Sequence, residues 1–192
     1  MEHTALDDIA VKALCEQADV SEATFFNYFG KKSELLDYFI QLWNLELTWH
    51  HHHTEAQGLD LLAASFTQVA QQFQKHPGVM AEIISHQTQQ RSKPELPDIG
   101  RAERLQAFPK LANIETQEIE GLDRMWAHAL QQAIDQGELP ANTHLPTTII
   151  GLATIFYGVP LALGQKKLAA IASIYRQQIN IYLAGIKAAS RH

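Results

Sequence analysis

Glu22, Ala23 and Asn27 stand within SEATFFNYF, residues 21–29, and offer what the edges of DNA bases can use. An Asn amide pairs bidentately with adenine, a Glu carboxylate accepts from cytosine N4, and an Ala methyl touches a thymine methyl. All three face outward on a helix whose inner side is Phe25 and Phe29. The chain's other conspicuous chemistry is histidine. His50–His53 runs unbroken, with His50 and His53 on one helix face, so a metal sensor is an alternative reading. No nearby Cys or spaced carboxylate completes a tetrahedral set, and the expectation is a polar helix end without metal. There is no Gly-rich phosphate loop, no His-Glu-x-x-His pair and no nucleophile elbow, so no enzyme and no cofactor are expected.

Presenting Glu22, Ala23 and Asn27 takes two short helices. Val11, Leu14, Cys15 and Ala18 fall at helical spacing in the first; Val20, Thr24, Phe25, Tyr28 and Phe29 do so in the second. Asp19-Val20 marks a tight break, and Ser21 sits at the N-cap, able to accept from the N–H of Ala23 or Thr24. The second helix is too short to stand alone, so its neighbours must hold it. Helix, turn and short helix is the helix-turn-helix plan, which offers the second helix to the major groove. Cys15, on the inner face, reads as a buried, inert thiol.

ADVSEATFFNYFGKKSELL, residues 18–36, resembles the signature of the TetR family of transcriptional regulators, A-x-V-S-x-x-T-F-[FY]-x-Y-F-x-x-K-x-x-L. The resemblance implies a two-domain, all-α homodimer, usually a repressor released from a palindromic operator by a small ligand. It implies that Ser21, Thr24, Tyr28 and Lys32 hold phosphates; Lys12 is a further DNA-binding candidate. Phe26 replaces the commoner Tyr, and Val11 stands where many relatives have Thr, which removes two donors. Relatives also place a full helix before the motif. MEHTALDDI leaves room only for its last turn, so the first helix is expected to be truncated and the natural protein to begin upstream of Met1.

The expected architecture is a helix-turn-helix DNA-binding head at 1–48 and a helical-bundle body for ligand binding and dimerisation at 49–192. With 46% hydrophobic residues, the 192-residue chain can bury a core. Its net charge of −6 excludes a general polyanion binder, and residues 1–48 hold only Lys12, Lys31 and Lys32 against nine acidic residues. DNA binding must rest on a few placed contacts in a dimer. A dimeric adaptor or ligand-binding protein that has lost DNA binding is the alternative. One Cys and no secretory leader indicate the cytoplasm, and no apolar run is read as a membrane span; 145–163 comes closest.

Periodicity predicts helices over Ser33–Trp49, Leu59–His76, Val79–Gln90, Ile99–Phe108, Asn113–Gln136, 147–159 and Lys167–Ala188, with loops at 92–98 and 137–146. Gly137 is the expected left-handed cap. A cavity for a small hydrophobic or amphipathic ligand is expected among Phe66, Met80, Ile84, His86, Met125, Trp126, Phe156 and Tyr157, with His86 or His128 as polar anchors. Residues 147–159 are apolar nearly all round and must be covered on both sides. The dimer interface is therefore assigned to Ile149, Gly151, Ile155 and Gly158 with Ile171, Tyr175, Ile179 and Tyr182.

Overall fold

A computed structural model describes residues 9–89 and 96–189. All regular structure among them is helical: α1 (Val11–Ala18), α2 (Glu22–Tyr28), α3 (Ser33–His52), α4 (Gly58–Lys75), α5 (Pro77–Gln89), α6 (Arg101–Ala107), α7 (Leu122–Asp135), α8 (Leu145–Leu163) and α9 (Ile171–Ala189). Short 3₁₀ turns lie at Ile114–Thr116 and Gln165–Ala170. The expected last turn of a truncated first helix, as far as residue 8, and residues 90–95 of the region expected to end a helix and form a loop, lie outside the described residues. The chain divides into two compact units, Met1–Trp43 with His76–Thr116, and Asn44–Lys75 with Gln117–His192. Only α3 among the helices has residues in both.

In the first unit, α1 ends where Asp19 takes the left-handed conformation (φ 55°), which lets Val20 N–H reach back to the Cys15 carbonyl at 3.0 Å. Ser21 then starts α2, its Oγ accepting from Thr24 N–H at 3.0 Å. Gly30 N–H donates to Glu34 Oε2 at 2.7 Å, closing the entry to α3. Phe25, Phe29 and Tyr38 form a chain of rings with centroids 5.3 and 5.9 Å apart. Leu36, Ile40 and Trp43 of α3, Met80, Ile83 and Ile84 of α5, and Ile99 and Ile114 are buried in the same unit.

The second unit is a bundle of α4, α7, α8 and α9 with the end of α3. Leu61, Leu62, Phe66, Val69, Ala70 and Phe73 make one buried stripe on α4. Phe66 stacks on Trp126 at 5.1 Å, and Tyr175 meets Phe66 edge-on at 5.2 Å. Two polar atoms inside are satisfied locally: Trp126 Nε1–H donates to Ser65 Oγ at 3.2 Å, and the Tyr175 hydroxyl donates to the Phe156 carbonyl at 2.8 Å. Gly58 begins α4 with φ +54°, where a Cβ would run into the Glu138 carboxylate.

Several expectations are corrected. The helix expected from Asn113 starts only at Leu122: Asn113 is left-handed (φ 58°), Ile114–Thr116 is one 3₁₀ turn, and extended Gly121 caps the true start. The last helix is likewise preceded by a 3₁₀ turn and begins at Ile171. Helix α8 is longer than expected and is not covered on both sides: Ile150 and Leu161 are exposed. It is also, among the described residues, the one helix long and apolar enough to cross a membrane. Its Leu152, Phe156 and Val159 are buried inside the bundle. Gly137, at φ 74°, is left-handed just past the end of α7, as expected.

Candidate nucleic-acid interface

The outer side of α2 carries the residues singled out for base contact. Phe25 is the one buried side chain of α2, and it fixes the rotation of the helix. With Phe25 inward, Glu22, Ala23 and Asn27 are all exposed. Ser21 Oγ also lies 2.8 Å from Thr24 Oγ1, so the cap pairs the two hydroxyls at the start of the same face. Lys12 is exposed one helix earlier, 3.9 Å from Glu16 in a weak i,i+4 pair.

Three placements differ from the periodicity. Tyr28 was assigned to the apolar side of α2 and yet is 77% exposed; Val20 is exposed too. An exposed Tyr28 presents its hydroxyl, the atom a phosphate contact needs. Lys32 is half-buried, and its Nζ donates to the Ile9 carbonyl at 2.8 Å, which ties the start of α3 to the chain before α1. Phe26 projects into solvent, edge-on to Phe25. Cys15 is buried, and burial, then the Glu22 carboxylate, pushes its thiol up, away from the reactive range.

The helix pair is thinly backed. An apolar cavity of about 440 Å³ lies among Leu14, Val20, Phe25, Phe29 and Leu35. Another of about 460 Å³ is lined by Ile9, Leu14, Leu36, Phe39, Leu42 and Val79.

The expected ligand lining is divided. Met80, Ile84 and His86 belong to the first unit, where His86 Nε2 lies 2.9 Å from Asp37 Oδ1. Phe66, Met125, Trp126 and Phe156 belong to the second and are buried there, with Trp126 against both Phe66 and Phe156 and half-buried Tyr157 edge-on to Phe156 at 4.8 Å. His128, the other proposed anchor, is instead 3.0 Å from His51. Of the expected interface residues, Ile171, Tyr175 and Ile179 are buried within the chain's own bundle rather than offered to a partner. Gly151 accommodates the Tyr182 ring of the same chain, whose hydroxyl donates to the Thr147 and Thr148 carbonyls. Ile149 and Ile155 are partly exposed and Gly158 is exposed. Ile150 and Leu161 of α8 and Ile181 of α9 are the large apolar side chains these two helices show outward.

The histidine run also differs from a plain polar end. His51 is only 7% exposed, its pKa lowered to about 4 by burial, then by the neighbouring His52 and His128. It prolongs the buried stripe of Leu36, Ile40, Trp43 and Leu47 at helical spacing, the signal that could have found it. His52 Nε2 pairs with Glu120 Oε1 at 3.0 Å, and His53 stacks on Trp49 at 4.2 Å. Among the described residues no three His, Cys, Asp or Glu side chains are grouped to hold a metal ion.

The class that fold and surface define is an all-helical protein with an exposed polar face on a short capped helix. Compared with family models and with curated proteins, the chain matches none.

Proposed function

We propose that this is a cytoplasmic, non-enzymatic transcriptional regulator that binds double-stranded DNA as a homodimer through α2, in the manner its resemblance to the TetR family implies. The observation that carries the reading is the joint exposure of Glu22, Ala23 and Asn27 on a helix anchored by Phe25 and capped by Ser21. Glu22, Ala23 and Asn27 read bases, while Ser21, Thr24, Tyr28, Lys12 and Lys32 hold the backbone. The partner subunit packs on the outer surface of α8 and α9, around Ile150 and Ile181. Two α2 helices then fall about 34–36 Å apart, one DNA turn, on a palindromic operator.

A small hydrophobic or amphipathic ligand, which the TetR resemblance implies, weakens DNA binding. The coupling requires two arrangements of α3, each favoured by one ligand, and its size falls in the usual range of about 5–150-fold.

The test is binding to a palindromic duplex selected from a random pool, measured against salt. Affinity should fall steeply as salt rises, and Lys12→Ala should flatten the logarithmic slope by about one. A second reading, a dimeric adaptor without DNA binding, draws on the nine acidic residues against three lysines in residues 1–48. Recovery of no duplex from the pool would favour it.

A further inference from the structure

Phe26 is 51% exposed and stands edge-on to buried Phe25, with ring centroids 5.3 Å apart. It follows Glu22 by four residues and Ala23 by three, so its side chain lies on their side of α2 and leans back over that turn. Thr24 and Tyr28 are each two residues from Phe26, which puts them about 160° away round the helix. The Thr24 hydroxyl, 2.8 Å from Ser21 Oγ, and the exposed Tyr28 therefore mark one edge of α2. Glu22 and Phe26 mark the other, and the exposed Ala23 and Asn27 lie between.

The two edges suit different parts of a duplex. Hydroxyls donate to phosphate oxygens. The Glu22 carboxylate is repelled by phosphates, and a phenyl ring has no donor to offer them, so the Glu22–Phe26 edge belongs over the groove floor. Every base shows polar groups there, and thymine alone adds an apolar one, its C5-methyl. A ring laid on any other base edge covers a polar group without pairing it, which is unfavourable; covering a methyl is favourable. Ala23 and Phe26 lie about 4.5 Å apart along α2, against about 3.4 Å between base pairs, so their contacts fall on neighbouring pairs. Buried Phe25 sets the rotation of α2 and holds the Phe26 ring from one side, so the ring is in place before DNA arrives.

We propose that Phe26 is a specificity-determining residue that reads the C5-methyl of one thymine in each half-site, beside the base pair touched by Ala23; the inference rests on α2 being the recognition helix. The ring recognises the methyl and not the base that carries it. 5-Methylcytosine holds the same group at the same place in the major groove, so methylation of a cytosine at this position strengthens binding.

The test uses the full chain and a duplex that it selects from a randomised palindromic pool. Thymines are replaced by deoxyuridine in symmetric pairs, which removes the methyl and keeps the base pairing. At the Phe26 position this should weaken binding about fourfold per half-site, the worth of one buried methyl, or about sixteenfold for the pair. Phe26→Ala should bind the thymine and uracil duplexes alike there and stay sensitive at the neighbouring position, while Phe26→Leu should keep the discrimination. A cytosine placed there should bind more tightly when 5-methylated, in the wild type but not in Phe26→Ala. Selection of no duplex would overturn the proposal together with the reading of α2 as a recognition helix. A selected site that no uracil pair weakens, or a loss in Phe26→Ala that is equal for thymine and uracil duplexes, would overturn the assignment of Phe26 alone.

Discussion

The helix pair α1–α2 and the helix α4 belong to one chain but are held in different ways. Helix α1 buries only Cys15 and α2 only Phe25, whereas α4 buries Gly58, Leu61, Leu62, Ser65, Phe66, Val69, Ala70 and Phe73. The pair has two apolar cavities behind it; α4 has Trp126 and Tyr175 in ring contact with Phe66. Side chains in the pair are spent on display, and local devices hold its shape: the left-handed Asp19, the Ser21 cap, one Phe25 anchor. In α4 burial along the whole helix sets the shape, with the Gly58 and Leu59 N–H groups bonded to Gln132 and Glu138 at its start.

The contrast predicts unequal costs. Phe66→Ala should destabilise the protein by about 3–5 kcal/mol in denaturant unfolding, as deletion of a fully packed aromatic does. Phe25→Ala, bordering an existing cavity, should cost about 2 kcal/mol at most, and amide exchange should show the loss confined to α1 and α2. Equal costs, or unmodified protection at residues 10–30 as strong as at 59–73, would remove the distinction.

Acid should act on the bundle. His51 titrates near 6.5 when unfolded and at about 4 when folded, with His52, His128 and Glu120 facing it. Between these values the unfolded chain holds a proton that the native one lacks, so stability falls as pH drops through the window, by roughly 3 kcal/mol in all. Above the window His51 contributes no pH dependence. His51→Gln should remove about one proton from the slope of stability against pH; a slope unchanged in that variant would place the acid sensitivity elsewhere.

The smallest effect is the cap. Ser21→Ala should cost about 1 kcal/mol, felt as faster exchange at Ala23 and Thr24 with α4 untouched. Loss of protection in both units would mean that the pair is more tightly coupled to the core than its burial suggests.

Sequence reading succeeded where one physical signal dominated. Periodicity located a helix expected at Leu59–His76 and observed at Gly58–Lys75, with Leu62, Phe66, Val69 and Phe73 buried along it. It failed where tertiary context decides. Val20 and Tyr28 sit at apolar positions of a repeat too short for periodicity to mean burial, and both are exposed. The helix expected to run back to Asn113 is interrupted by the backbone itself, at left-handed Asn113 and extended Gly121. His51 lay on the apolar stripe of α3, but its residue type suggested solvent; burial needs His128 and Gln132, which arrive from a helix more than seventy residues later. Ile171, Tyr175 and Ile179 look like an interface in one dimension and serve the chain's own core in three.

Whether α2 reads DNA is tested most directly by selecting duplexes from a randomised palindromic pool with the wild-type chain and with Asn27→Ala. The wild type should enrich a two-fold symmetric site, and Asn27→Ala should relax preference at one symmetric pair of positions, costing the original base about 1–3 kcal/mol there and leaving other positions alone. An unchanged preference in Asn27→Ala, or no sequence enriched by the wild type, would contradict the assignment of α2 as the recognition helix.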